Sequence, residues 1–159
     1  PAPPHGVLPL LIDNLFDAEN FGGELITSFQ ALPQWRLMAS YSLLIMDVEA
    51  DPSSTDTSAT ATEDENPMHQ IMLKSQIDLP KNIELDLITR YVSDLGSLNI
   101  DDYLAVDLRL AWRPIQNLEL SFTGQNVFDR RHPEFVAMFL GTQSTQIERS
   151  FFGKASWTF

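Results

Sequence analysis

Residues Leu118–Phe159 read LELSFTGQNVFDRRHPEFVAMFLGTQSTQIERSFFGKASWTF, and two segments of this stretch alternate. In the first, Leu118, Leu120, Phe122 and Gly124 share a parity with Phe128, and Glu119, Ser121, Thr123 and Gln125 take the other. In the second, Ile147, Phe151, Gly153, Ala155, Trp157 and Phe159 oppose Glu148, Ser150, Lys154, Ser156 and Thr158. A period of two sends successive side chains to opposite faces of a strand. The chain therefore ends as a strand with one apolar face, one polar face and a terminal aromatic residue.

The same design repeats upstream. Phe21, Gly23, Leu25, Thr27, Phe29 and Ala31 oppose Glu24, Ser28 and Gln30. After a turn at Leu32-Pro33-Gln34, Trp35 to Ile45 alternates against Arg36, Ser40 and Ser42. His69 to Leu79 and Ile83 to Tyr91 flank a turn at Pro80-Lys81-Asn82, and Leu104 to Trp112 precedes a turn at Pro114–Asn117. Proline punctuates each short connection. The other connections are long: Asp47–Asn66, Ser93–Asp102 and Arg130–Thr145. Asn14–Asn20 reads as a polar break, and Val7–Leu15 as a doubtful eighth element, ambiguous between strand and helix. Asp47–Asn66 is rich in Ser, Thr, Asp and Glu, which predicts a mobile, solvated loop. The fold class expected is all-β: an antiparallel meander of about seven or eight strands, with short turns at one end and long loops at the other.

Composition narrows the environment. The chain has 159 residues, a net charge of −12 and no cysteine. An acidic balance excludes a basic nucleic-acid footprint. Without cysteine there is neither a disulfide framework nor a thiolate metal site. There is no apolar run long enough for a membrane helix, although transmembrane strands dilute their apolar residues by half and escape that test. The PAPPHG start suggests a processed product or a fragment.

Alternation says that one face is buried, and a soluble barrel would show it too. Two details favour lipid. The apolar parity is nearly free of charge, Arg149 being the clear exception, whereas Glu24, Arg36, Lys74, Asp86, Arg90, Asp107, Arg109 and Glu119 all fall on the other. A charge at the bilayer midplane costs about 2–4 kcal/mol. Trp35, Trp112 and Trp157 also fall on the apolar parity at the short-turn end, where amphipathic aromatics form a girdle.

GQNVFDRRHPEF (Gly124–Phe135) followed by QIERSFFGKASWTF (Gln146–Phe159) resembles the end of TonB-dependent outer-membrane receptors, with their G-x-N-L-F-D segment and aromatic-x-Phe terminus. NPMHQIMLKSQIDLPKNIELDLITRYVSDL and FGGELITSFQALPQWRLMASYSLL are similar to strands further upstream in that family. The resemblance implies a barrel of about 22 strands filled by an N-terminal plug. This chain would be roughly its last third, with plug and earlier strands elsewhere, in the outer membrane of a Gram-negative bacterium. It further implies uptake of a scarce nutrient such as a ferric siderophore or cobalamin. The partners implied are lipid and lipopolysaccharide, the barrel-assembly machinery, the TonB complex and a small metal chelate. Gly153, Trp157 and Phe159 would form the assembly signal.

Arg130, Arg131 and His132 are the candidate ligand contacts, in an extracellular loop. The simpler reading makes the arginines contacts of lipopolysaccharide phosphate or water, and His132 a solvated loop histidine. His5, His69 and His132 lack metal-ligand spacing, and no cofactor is expected. Enzyme signatures such as G-x-S-x-G and H-E-x-x-H are missing, so no activity is expected. Two alternatives remain open: a small self-contained outer-membrane barrel with a structural or adhesive role, and a soluble β-barrel binding module.

Overall fold

A computed structural model describes residues 6, 13–56, 59–134, 136 and 145–159, with backbone alone at 59 and 60. Seven strands form one antiparallel sheet. In chain order they are β1 (Phe16–Leu32), β2 (Trp35–Ala50), β3 (His69–Leu79), β4 (Ile83–Val92), β5 (Tyr103–Ile115), β6 (Leu118–Gln125) and β9 (Ser150–Trp157). Between β6 and β9, two short strands, β7 (Arg131–Pro133) and β8 (Gln146–Glu148), pair only with each other. The sheet order is β1-β2-β3-β4-β5-β6-β9, so β1 and β9 are its edges. Val7–Leu15, the doubtful element, lies mostly outside the described residues.

Register carries the parity across the whole sheet. Tyr41 faces Leu25 and Ile71, Ile71 faces Tyr91, and Tyr91 faces Leu104. Leu110 faces Leu85 and Phe122, and Phe122 faces Gly153. A one-residue slip anywhere would send a strand's apolar residues to the other side. The apolar face has nothing over it among the described residues: Phe21 is 70% exposed, Phe122 56% and Trp157 56%. An apolar patch that spans a whole sheet demands a nonaqueous neighbour. Trp35, Trp112 and Trp157 sit on this face at the short-turn end, as the sequence predicts, opposite Ile77, Leu120 and Leu118 respectively.

Two pairs of polar groups on the apolar face satisfy each other, as a membrane requires. The indole Nε1 of Trp35 donates to Ser75 Oγ at 2.9 Å. Tyr41 Oη lies 3.0 Å from His69 Nδ1.

Several boundaries differ from expectation. The polar break at Asn14–Asn20 is mostly strand, because β1 begins at Phe16, and β2 runs on to Ala50 through the start of the supposed loop. Above a bilayer both faces meet water, so pairing continues without apolar alternation. There Asp17 faces Glu49 and Glu19 faces Asp47. Like charges directly opposite destabilise a ladder. Glu19→Lys should therefore stabilise the hairpin by about 0.2–1 kcal/mol, measured by urea unfolding in lipid vesicles. The rest of Asp47–Asn66 is not featureless: α1 (Ala59–Glu63) returns Glu63 to accept the Val48 N–H.

The third turn is also shorter than expected. β5 continues through Pro114 to Ile115, with a register shift between Trp112 and Ile115. Proline is tolerated at such a bulge because no ladder bond is asked of its nitrogen. In the last alternating segment Ile147 and Phe151 do not share a strand. The Arg149 N–H donates to Arg130 O, its Nε donates to Asp129 O, and β8 leaves the sheet. β9 ends at Trp157, although Thr158 N–H still donates to Asn117 O at 2.9 Å.

Glycine matters more at Gly124 than at Gly153. A Cβ on Gly124 would lie 2.8 Å from Val127 Cγ1 and 2.9 Å from Phe151 Cε1, whereas at Gly153 it meets only Ser121 O at 3.8 Å. Overpacking of this kind costs about 1–3 kcal/mol. Gly124→Ala should lower stability by that amount and Gly153→Ala by less than half of it, in the same unfolding measurement.

Candidate functional site

The polar face carries two charge systems. Toward the short turns, Arg109 bridges three carboxylates, those of Glu84, Asp86 (3.0 Å) and Glu119 (2.8 Å). Arg113 reaches Glu84 at 3.2 Å and Glu119 at 2.7 Å. These groups come from β4, β5 and β6, so the pairs clamp three neighbouring strands.

Toward the long loops, Arg90 pairs with Asp107 Oδ2 at 3.1 Å. The other oxygen of Asp107 accepts the Asn126 N–H at 2.9 Å. Asn126 closes β6 with φ 52°, a left-handed conformation that asparagine accepts more readily than most residues. Val127 N–H then donates to Val106 O at 2.9 Å. The chain is thereby turned over the polar face, and the β7–β8 pair becomes a strap beside the mouth of the sheet.

His132 fastens this strap. It is only 7% exposed. Its ring stacks on Tyr103, with centroids 4.2 Å apart at 23°. Nδ1 lies 3.1 Å from Asp129 Oδ2 and 3.2 Å from Asn126 Nδ2, and Nε2 lies 3.0 Å from Glu134 Oε1. A neutral ring donates to one of these carboxylates, a protonated ring to both. Asn126 Oδ1 is buried without a partner among the described residues. The solvated loop histidine expected from RRHPE is therefore corrected. Its burial comes from Tyr103 and Asn126, which no local spacing could announce.

The contacts of Asp129 predict a strap that acid weakens. Desolvation pushes the Asp129 carboxyl up, but the backbone N–H of Arg131, the His132 ring and the backbone N–H of Arg130 together hold it below the usual carboxylate range. A carboxyl depressed by folding contributes its stability above the unfolded value, and that contribution is lost as pH falls through the folded one. Amide exchange at Arg131 and His132 should therefore accelerate below about pH 4 relative to the sheet, and Asp129→Asn should remove that dependence.

The strap and the upper ends of β3 to β6 enclose a cleft of 660 Å³. Gln70, Arg90, Asp107, Gln125, Glu134 and Glu148 are among its walls. The three expected ligand contacts do not converge on it. His132 lines it but is spent on its neighbours. Arg131 lines a separate cleft with Asp101, Asp102 and Asp129. Arg130 is exposed and lines neither. At the other end, Gly153 faces Phe122, Trp157 faces Leu118, and Phe159 projects beyond the last pair, fully exposed. No group of three or more His, Cys, Asp or Glu able to hold a metal occurs among the described residues.

This architecture matches solved structures of an import receptor, of FpvA and of a copper transporter. The ferric-catecholate import receptor Fiu of E. coli K12 superposes with a TM-score of 0.71 at 19% identity, over 89% of this chain and 21% of that one. FpvA of P. aeruginosa, solved with heterologous pyoverdines, gives 0.66 at 19% identity, over 88% and 19%. The copper transporter OprC gives 0.64 at 17%, over 92% and 25%. The chain thus spans a quarter or less of the length of each. No curated protein matches it in sequence. The model of the outer membrane protein beta-barrel family matches residues 6–155. That match accounts for the bare apolar face and sets aside a soluble module: the chain belongs to the outer membrane protein beta-barrel family and resides in the cell outer membrane.

Proposed function

We propose that this chain is the C-terminal wall of a TonB-dependent receptor that imports a scarce nutrient, a ferric siderophore or a similar chelate such as cobalamin. The observation that carries the reading is the open sheet. Among the described residues β1 and β9 are the edges of the sheet and do not pair with each other, so each offers an unpaired row of backbone groups at membrane depth. Lipid cannot satisfy those groups, and only further strands can. A self-contained barrel would pair its two edges. The receptor reading supplies the missing strands and places a plug and the TonB contact in other parts of the protein. The import receptor and the transporter among the structural neighbours support it. In this reading the chain performs no chemistry of its own. It contributes wall, mouth and terminal strand.

The test is uptake by living cells. A gene deletion should abolish accumulation of at least one radiolabelled iron chelate or of cobalamin, and loss of TonB should abolish the same uptake. Undiminished uptake of every such nutrient by the deletion strain would refute the proposal.

A further inference from the structure

The mouth cleft has a chemistry that opposes the anionic ligand first suggested by Arg130 and Arg131. Its one guanidinium, that of Arg90, is paired with Asp107. Arg131 lines a different cleft. Glu134 and Glu148 both line this one, and Glu134 meets His132 through Oε1. Gln70, Gln125 and Gln146 complete the wall with carboxamides. Gln125 Oε1 is occupied by the Ser150 hydroxyl at 3.1 Å, which leaves its amide N–H groups. Among the described lining residues three carboxylates, those of Asp107, Glu134 and Glu148, stand against the guanidinium of Arg90, so the fixed charge of the cleft is net negative. A carboxylate at such a mouth attracts cations and repels chelates that carry excess negative charge.

We propose that the cleft is a specificity site for a cationic group on the imported ligand, an ammonium that hydrogen-bonds to Glu134 and Glu148. His132 acts as a positioning residue, because its Nε2 contact holds Glu134 at the cleft wall. The proposal rests on the import reading above and deepens it by naming the ligand's charge.

The experiment uses the full-length receptor in lipid nanodiscs and three ferric chelates as probes. The first is a linear trihydroxamate with a free ammonium, the second the same chelate with that amine acetylated, and the third a tris-catecholate of net negative charge. The ammonium form should bind about tenfold more tightly than the acetylated form, the difference expected of one charge-assisted hydrogen bond. Glu134→Gln with Glu148→Gln should bring the two within about twofold of each other. Heat-modifiable migration in a gel verifies that the variants remain folded barrels. His132→Ala should narrow the ratio between the two forms by weakening the ammonium form more than the acetylated one. Tighter binding of the tris-catecholate, or no effect of acetylation, would overturn the cationic site while leaving import intact. Failure of all three chelates to bind would overturn the site, and the deletion strain's uptake then decides separately whether the import reading survives.

Discussion

Replacement of Leu87 by arginine should destabilise the sheet in a bilayer by about 2–4 kcal/mol, the cost of a basic side chain on the lipid face near the midplane. Leu87 lies mid-strand in β4, between Ser75 and Leu108, and its side chain is on the bare apolar face. No carboxylate shares that face nearby. Its chain neighbour Ile88 points the other way, between Lys74 and Asp107. Ile88→Arg should therefore cost less than about 1 kcal/mol, since the polar face leaves its guanidinium in water. The two substitutions differ by one position and by nothing else in chemistry. Equal effects in a urea titration from lipid vesicles would mean that the two faces are not lipid and lumen.

The second large effect is expected at the terminus. Changing both Trp157 and Phe159 to aspartate, or deleting Phe159, should remove most of the heat-modifiable, membrane-integrated protein without reducing its synthesis. β9 is a free edge among the described strands, and an edge that must find a partner during assembly is the natural place for recognition. Trp157 sits on the apolar face at the aromatic rim, and Phe159 extends past the ladder with its ring unoccupied. Both are thus available to a second protein before the barrel closes. Wild-type integration of these variants would show that the terminus is an ordinary exposed end.

The parts of this fold that a sequence can reveal are those with a period. Lipid on one side imposes strict alternation, so the strands, their facing and the tryptophan rim were all legible from Phe21 onward. Where both faces meet water that constraint lapses, and the β1–β2 extension, Phe16 to Glu19 against Asp47 to Ala50, reads in sequence as break and loop. The end of β8 was hidden for a different reason. Ile147 and Phe151 keep the same parity, and only the bonds from Arg149 to Asp129 and Arg130 show that the chain turns between them. The mouth was the least legible part. His132 and Glu134 stood out as neighbours in sequence, but Asn126 and Asp129 lay inside the NVFD motif, recognised as a resemblance without a reason for its residues. The structure supplies that reason: the asparagine accepts a left-handed turn, and the aspartate caps the strap that follows.

The tryptophan rim and the acidic hairpin extension have a joint consequence. Both lie on one face of the sheet, at opposite ends of its apolar band. Indole rings resist moving out of the headgroup layer, and Asp17, Glu19, Asp47 and Glu49 resist moving into the hydrocarbon. The sheet therefore cannot float up or down to suit its surroundings. Its vertical position is pinned at both ends, and the acyl chains must adjust to it. Hydrophobic mismatch costs fractions of a kcal/mol per ångström, and the bacterial outer membrane is thinner than the average bilayer. The lipid chain length chosen for reconstitution is thus a variable in every measurement on this protein, and short-chain lipids are the ones that match its geometry.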